Sequence, residues 1–383
     1  MDAARRYLLL GLRLGRHVDG LVDAYYGPSE LREQADSEPV LEPTALVEEA
    51  DDLLGRLDDG WLRDQVRGLR TYAGVLAGEA LSYSDEVDGC YGVRPGPPEE
   101  DAYAAAHERL DELLPGEGSL VERREAWRKS QLVPREKLIP VLADVVAELR
   151  ARTSPVVALP EGEDLALEEV QDEPWWAFNY YLGDLRSRVV VNVDVPTTSD
   201  NLIELAAHEV YPGHHTEHAV KEQLLIRDRG LVEEAIQLVP TPQAILSEGI
   251  AETGRDVVLD EEGEAAAVAI LRRHGLEYDE RTPAVREASR ALRRIGLDAA
   301  LLIHEQGASA EEAEAYLQRW SLSTPEQAKQ NVRFVTDPTW RAYVITYSAG
   351  GDLVRAYTAG DPARFRRLLT EQVRVGELAA AVR

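Results

Sequence analysis

Apolar residues recur every three or four positions along most of this 383-residue chain. That spacing is typical of helices that bury one face and expose the other. The segment LIPVLADVVAELR, residues 138–150, is a clear example. The pattern predicts a mainly α-helical fold, with one long segment interrupted at Pro134 and Pro140 because proline cannot donate a helical hydrogen bond. The segments with this spacing are 44–80, 119–153, 285–305 and 310–320.

The segment 165–195 has a different pattern. Its stretches LALEEV, WWAFNYYL and RVVVNVDV are short and rich in valine and aromatic residues, which favours strands. Gly183 and Asp184 predict a turn between the last two, so we expect a small antiparallel sheet. The stretch PTTSDNLIELAAHE returns to helical spacing, with Ser199 or Asp200 as the expected N-cap.

The length of the chain, about twice that of an ordinary domain, suggests two lobes. A proline- and glycine-containing stretch, PEGED, precedes the predicted strands. We therefore predict an N-terminal helical lobe over residues 1–160. A second lobe over 161–383 would hold the sheet and the C-terminal helices, and the two would form one compact unit.

The charge of the chain limits its possible macromolecular partners, and its cysteine content limits the possible metal ligands. The formal net charge is −28, and such a surface repels phosphate backbones, so nucleic acid is excluded as a partner. Cys90 is the single cysteine, so a metal would have to be held by histidine, aspartate and glutamate. No apolar run is long enough to span a membrane, and the N-terminal LLLGL fits an amphipathic helix better than a cleaved leader. We predict a cytoplasmic protein without a membrane partner.

Half of the eight histidines lie in HEVYPGHHTEH, residues 208–218. In the helical zinc motif H-E-x-x-H the two histidines are four residues apart and face the same ion. Here Pro212 stands at the second position, and His214 follows His208 by six residues. On a straight helix those two would diverge by about 240° and could not share an ion.

The Pro-Gly pair resolves this conflict. Pro212 stops or kinks the helix, and Gly213 supplies backbone freedom. Two residues can thus loop out and bring His214 back beside His208, with Glu209 placed to reach the attacking water. Two rivals remain: His215 could be the ligand instead of His214, or His214 could pair with His218 on the next helix. A further alternative is that the histidines only line a helix junction.

A third ligand is expected in PTPQAILSEGIAETGRD, residues 240–256. Its E-G-x-A-E segment resembles the glutamate-bearing helix of gluzincin peptidases, in which the first glutamate binds zinc. The resemblance implies that Glu248 is the third ligand. Glu252 lies one turn further on the same face and could orient a histidine.

Four segments together resemble the bacterial domain-of-unknown-function family number 885: VVVNVDVP, LIELAAHEVYPGHH, SEGIAE and YVITYSAGGDLV. The likeness covers roughly residues 189–357, and it departs from the family pattern at Ile250 and Thr253. It implies a helical zincin-like, gluzincin-related metallopeptidase. It also makes Tyr347 a candidate oxyanion donor and places Asn192 beside the cleft. The alternatives are a helix-core role for Tyr347 and a turn role for Asn192.

These features predict a zinc-dependent peptidase with one Zn²⁺ per chain, held by His208, His214 and Glu248. Glu209 would be the general base, and the substrate would be a peptide or small amide. One alternative is a metal-dependent amidase or esterase that acts on a non-peptide substrate. Another is a non-catalytic metal-binding protein.

Overall fold

The computed structural model describes residues 2–173 and 175–381, and it is mainly helical, as predicted. The α-helices of the described residues are α1 Ala3–Leu14, α2 Ser29–Ser37, α3 Pro43–Leu54, α4 Trp61–Leu76, α5 Tyr83–Tyr91, α6 Glu100–Leu113, α7 Leu120–Lys129, α8 Leu138–Thr153, α9 Ser199–Leu205, α10 His214–Lys221, α11 Pro242–Val258, α12 Glu261–Arg273, α13 Thr282–Ser289, α14 Ile295–His304, α15 Ala310–Trp320, α16 Pro325–Thr336, α17 Gly351–Thr358, α18 Pro362–Thr370 and α19 Val375–Ala381. Short 3₁₀ or π segments lie at Arg135–Lys137, Ala206–Val210, Glu222–Arg227, Val232–Ala235, Arg290–Arg294, Tyr343–Ile345 and Thr346–Gly350.

Breaks divide the longer predicted helical segments. The segment 310–320 is one helix, as predicted, whereas 44–80 forms α3 and α4 with a turn between them. The interruption expected near Pro134 is present, because α7 ends at Lys129. No break occurs at Pro140, which lies in the first turn of α8, where a backbone N–H has no helical partner to lose.

The strands form one three-stranded and one two-stranded sheet: β1 Val22–Tyr25, β2 Asp164–Val170, β3 Ala177–Gly183, β4 Arg186–Asn192 and β5 Ile236–Leu238. The prediction of a wholly antiparallel sheet is wrong. The order is β2-β4-β3, with β3 antiparallel and β2 parallel to the central β4. The valine-rich β4 takes the centre because the side chains of residues 189–192 are buried, so the chain crosses the end of β4 between β2 and β3.

The start of α9 differs by one residue from its prediction. The N-cap is Thr198, whose side chain accepts from the backbone N–H of Asn201. Ser199 is instead fully buried in the first turn, where its hydroxyl donates to the carbonyl oxygen of Glu277. The helix then runs directly into the histidine-rich segment.

Residues from both halves of the chain share one hydrophobic core. This core contains residues from Tyr7 to Leu378, and β1 pairs with β5 across more than 200 residues of sequence. Leu8, Leu9 and Leu12 of α1 are buried in it. The lobe boundary near residue 160 stays a prediction. In the described part of the chain, no helix is both long and apolar enough to cross a bilayer.

Candidate metal centre

Two helices meet where the histidines cluster. After α9 the chain forms one π turn, Ala206–Val210, and α10 begins at His214. The backbone N–H of Gly213 donates to the carbonyl oxygen of Ala207 at 2.9 Å, which folds the loop back onto this turn. A Cβ on Gly213 would lie only 1.8 Å from the carbonyl oxygen of His208, so the close approach requires glycine. The loop brings His214 beside His208, with ring centroids 4.8 Å apart.

Glu248 on α11 faces both rings. Its Oε2 lies 3.6 Å from Nε2 of His208, and its Oε1 lies 3.7 Å from Nε2 of His214. One ligand atom from each of the three residues falls within 4.8 Å of the others. A tetrahedral zinc ion with bonds of about 2.0–2.2 Å holds its ligands about 3.3–3.6 Å apart. We call His208, His214 and Glu248 the ligand cluster.

The protonation chemistry of the ligand cluster suits a cation. Oε2 of Glu248 is buried and has no hydrogen-bond partner, while Oε1 accepts from the Tyr343 hydroxyl at 2.7 Å. Burial raises the pKa of Glu248 to about 8. Burial also lowers the pKa of His208 and of His214, which keeps the imidazoles neutral and their lone pairs available. An unpartnered buried carboxylate is costly, and a bound divalent ion would supply its missing partner. The residues present therefore fit zinc.

A polar chain orients His214. Its Nδ1 lies 3.2 Å from the Ser247 hydroxyl, which donates to Oε2 of Glu217 at 2.6 Å. Lys221 donates to the other oxygen of Glu217 at 2.7 Å. Although burial opposes ionisation, Lys221 lowers the pKa of Glu217 to about 2. The anion thus favours a proton on Nδ1 of His214 and leaves Nε2 as the free lone pair.

The rival ligand His215 points away from the ligand cluster. Its Nδ1 lies 2.8 Å from the Ser187 hydroxyl, and its Nε2 lies 2.8 Å from Oε2 of Glu163. Glu163 also accepts from Tyr211 at 2.5 Å and from Arg150 at 2.7 Å. We call His215, Glu163, Tyr211 and Arg150 the paired cluster. Because both nitrogens of His215 are occupied, His215 cannot replace His214 as a ligand.

His218 stays close to the site but outside the ligand set. Its ring stacks on that of His214 at 6.1 Å, and burial lowers its pKa to about 3. Its Nδ1 is buried without a partner. The alternative in which His214 pairs with His218 lacks the third ligand, because Glu248 faces His208 and His214.

A cavity of about 630 Å³ opens onto the ligand cluster. Glu209 and Tyr347 both line it. Burial, with the charges of Glu248 and Asp23, raises the pKa of Glu209 to about 8. Tyr347 is 38% exposed and is therefore not a helix-core residue. Desolvation of the phenol against the cavity wall and the charge of Glu248 raise the pKa of Tyr347, so its phenol remains a hydrogen-bond donor.

Two expected site residues have other partners. Asn192 is buried and donates to the carbonyl oxygens of Glu173 and Trp175, so it holds the crossover between β2 and β3. This corrects its placement beside the cleft. Glu252 accepts from Arg293, and within the described chain no hydrogen bond joins it to either ligand histidine. This corrects its expected role of orienting a histidine.

Several residues at the site carried no recognised sequence signal. Tyr343 is the first residue of the segment YVITYSAGGDLV, but nothing in that segment indicates that its hydroxyl contacts Glu248. Ser247 immediately precedes Glu248, but its contact with His214 depends on the loop. Asn179 and Asp23 line the cavity from β3 and β1. The stretch WWAFNYYL indicates only a strand at Asn179, and none of the quoted segments contains Asp23.

No protein-family model matches the chain, and no curated protein matches it. Among solved structures, it is similar to "the putative lipoprotein from Colwellia psychrerythraea", with a TM-score of 0.54 and 15% identity over 92% of this chain. The chain spans 64% of the length of that protein. A "putative lipoprotein of unknown function" from Shewanella oneidensis gives a TM-score of 0.49 and 14% identity, covering 91% of this chain and 75% of the other. The first likeness concerns the fold alone.

Proposed function

We propose that this protein is a zinc-dependent peptidase, related to the gluzincin-like family that its motifs resemble. The observation that supports this proposal most strongly is the Oε2 atom of Glu248, which is buried without a hydrogen-bond partner beside two neutral histidines on a cavity wall. A solvent-facing cavity of about 630 Å³ has room for a short peptide. The zincin-like assignment and the cytoplasmic location are parts of this proposal.

Each residue of the site has a defined task. A zinc ion held by His208, His214 and Glu248 would acidify water and polarise a carbonyl group. Glu209 accepts a proton from water and passes it to the leaving amine. Its pKa of about 8 would fall beside a cation, because an opposite charge favours the carboxylate. Tyr347 donates a hydrogen bond to the oxyanion that forms at the attacked carbonyl.

Strand β3 supplies a surface for an extended peptide. It is an edge strand of the three-stranded sheet, and Ala177, Phe178 and Asn179 of this strand line the cavity. The side-chain amide of Asn179 donates to the carbonyl oxygen of Glu209 at 2.6 Å. This hydrogen bond joins β3 to the π turn that contains Glu209. A peptide added to this edge would lie beside the ligand cluster.

Two alternative functions are a hydrolase for non-peptide substrates and a non-catalytic zinc-binding protein. A non-peptide amide or ester could use the same residues, and only substrate profiling separates it from a peptide. A non-catalytic zinc site would normally have four protein ligands, whereas three ligand residues converge here within the described chain. The presence of Glu209 on the same cavity favours hydrolysis.

The test is Glu209→Gln, which keeps size and hydrogen bonding but removes the basic carboxylate. Glu169→Gln makes the same change at an exposed position of β2 and serves as the control. Zinc-loaded proteins are assayed on a mixed peptide library, with zinc content measured in parallel. We expect hydrolysis to fall about 100- to 10,000-fold in Glu209→Gln alone, with zinc retained. Full activity would refute the mechanism, and loss of zinc would make Glu209 a ligand.

A further inference from the structure

Asp23 is an unpaired carboxylate on the wall of the catalytic cavity. It belongs to β1, and Tyr26, which directly follows β1, packs against Tyr181 of β3 with ring centroids 4.9 Å apart. Its side chain is exposed, and Asp23 lines the same cavity as Glu209 and Glu248. No cationic side chain of the described residues forms a salt bridge or hydrogen bond with it. Asp23 therefore lies close to the ligand cluster without a counter-ion.

The side chains that line the cavity carry a net negative charge, which a divalent ion would not fully neutralise. The carboxylates that line the cavity are Asp23, Glu209, Glu248 and Asp337, and the single guanidinium is that of Arg333. One divalent ion and Arg333 together offset three of the four negative charges. A substrate with one positive charge would complete the balance, so the charge of the cavity wall favours cationic ligands.

A second unsatisfied acceptor lies on the same wall. Asn179 is only 8% exposed, and its Oδ1 has no hydrogen-bond partner, although its amide nitrogen is held by the carbonyl oxygen of Glu209. That hydrogen bond fixes the amide orientation, so Oδ1 remains an acceptor. An acceptor on β3 and a carboxylate on β1, both on residues that line the cavity, together suit a group that donates several hydrogen bonds and carries positive charge.

We propose that Asp23 binds a primary ammonium group of the substrate and so makes the cavity selective for peptides with a free amino group. The inference rests on the proposed peptidase function, whose substrate class it specifies. The ammonium group can come from the peptide's amino terminus or from a lysine side chain. Arg333, which is exposed at the cavity and has no salt-bridge partner among the described residues, would support a rival selectivity for a terminal carboxylate.

The experiment measures binding and hydrolysis separately. Calorimetry on zinc-loaded protein compares trialanine hydroxamate with its N-acetylated form and with an N-acetylated form carrying one lysine. The proteins are wild type, Asp23→Asn and Asp19→Asn, the last removing the same charge at an exposed position outside the cavity. Hydrolysis of trialanine and N-acetyltrialanine is followed in parallel. Each variant is compared by its ratio between ligands, so a general change at the ligand cluster cancels.

We expect wild type and Asp19→Asn to bind the free amine about 10- to 100-fold more tightly than the acetylated form, as for a hydrogen bond to a charged group. In Asp23→Asn, the ratio of the affinity for the free amine to the affinity for the acetylated form should fall toward one. An equal preference for the acetylated lysine ligand, lost in the same variant, would assign the ammonium to a side chain.

Each of the other outcomes has a distinct meaning. Equal binding of free and acetylated ligands by wild type overturns the selectivity, even if trialanine is hydrolysed. A preference that persists in Asp23→Asn also overturns it. Selective binding without any hydrolysis would leave the role of Asp23 standing and refute the proposed peptidase function. Failure to bind any of the three ligands refutes both.

Discussion

Two histidine–glutamate clusters lie on opposite sides of the start of α10, and they differ in how completely their glutamates are paired. In the paired cluster, both oxygens of Glu163 accept hydrogen bonds, from Arg150, Tyr211 and His215. In the ligand cluster, Glu248 has one donor, Tyr343, and one buried oxygen without a partner. Adjacent residues, His214 and His215, belong to these two different environments.

The difference appears in the acidity of the two glutamates. Burial opposes ionisation of both, but the donors around Glu163 lower its pKa to about 2. For Glu248 burial prevails and the pKa rises to about 8. A satisfied buried carboxylate stabilises the fold as an anion, whereas an unsatisfied one costs stability unless a cation arrives. Residue type alone would not separate the two clusters, because each contains histidine and a glutamate that accepts a hydrogen bond from a tyrosine.

The largest expected effect after that of Glu209→Gln concerns Tyr347, the exposed tyrosine of the catalytic cavity. Tyr347→Phe removes one hydroxyl and keeps the ring, so folding and zinc content should match wild type. Because an oxyanion donor is lost, kcat should fall about 100- to 1,000-fold. Steady-state kinetics on a peptide found in the library assay measures this. Unchanged kcat would remove Tyr347 from the mechanism and confine the catalytic role to the ligand cluster and Glu209.

A matched pair of tyrosines tests the comparison itself. Tyr343 donates to Glu248 and Tyr211 donates to Glu163. Tyr343→Phe should weaken zinc affinity about 10- to 100-fold, because the ligand carboxylate loses the group that orients it. Tyr211→Phe should leave zinc affinity unchanged and lower the unfolding free energy by about 1 kcal/mol. Competition with a chromogenic chelator measures affinity, and equal effects in both variants would erase the distinction between the clusters.

The smallest expected effect is a pH dependence of stability with opposite signs for the two glutamates. With a chelator present, the raised pKa of Glu248 means that the folded state holds its proton more tightly than the unfolded state between about 4.5 and 8. Stability should therefore fall as pH rises through that window, and Glu248→Gln should lessen the fall.

For Glu163, the lowered pKa makes its stabilisation complete above about 4.5 and lost as pH falls toward 2. Glu163→Gln should therefore lower Tm at pH 7, by a few degrees. Thermal unfolding of both variants at pH 5, 7 and 8 measures these shifts. The same direction of change in both variants at pH 8 would contradict the assignment of opposite environments.

The sequence predicts which neighbouring residues of the site come together better than it predicts contacts between residues far apart in the chain. The spacing around Pro212 and Gly213 predicts that the chain loops back, because a straight helix cannot bring His208 and His214 together. The third ligand, Glu248, came from a motif resemblance, since acidic residues are common in this chain. Tyr343 lies 95 residues from the Glu248 it contacts, so only the fold reveals that contact.

The errors in the sheet have a physical origin as well. Alternation and β-branched residues identify strands but do not set their direction, so the parallel pairing of β2 with β4 was not predictable from pattern. The family resemblance implies that Asn192 lies beside the cleft. The crossover between β2 and β3 uses its amide instead, since that loop needs donors for its carbonyl oxygens.

The most direct test of the ligand cluster is the zinc content of wild type, His214→Gln and His215→Gln after dialysis against a weak chelator. Elemental analysis of folded protein should give about one zinc per chain for wild type and for His215→Gln, and almost none for His214→Gln. The adjacent positions make each variant a control for the other. Zinc retained in His214→Gln, or lost only in His215→Gln, would contradict the account.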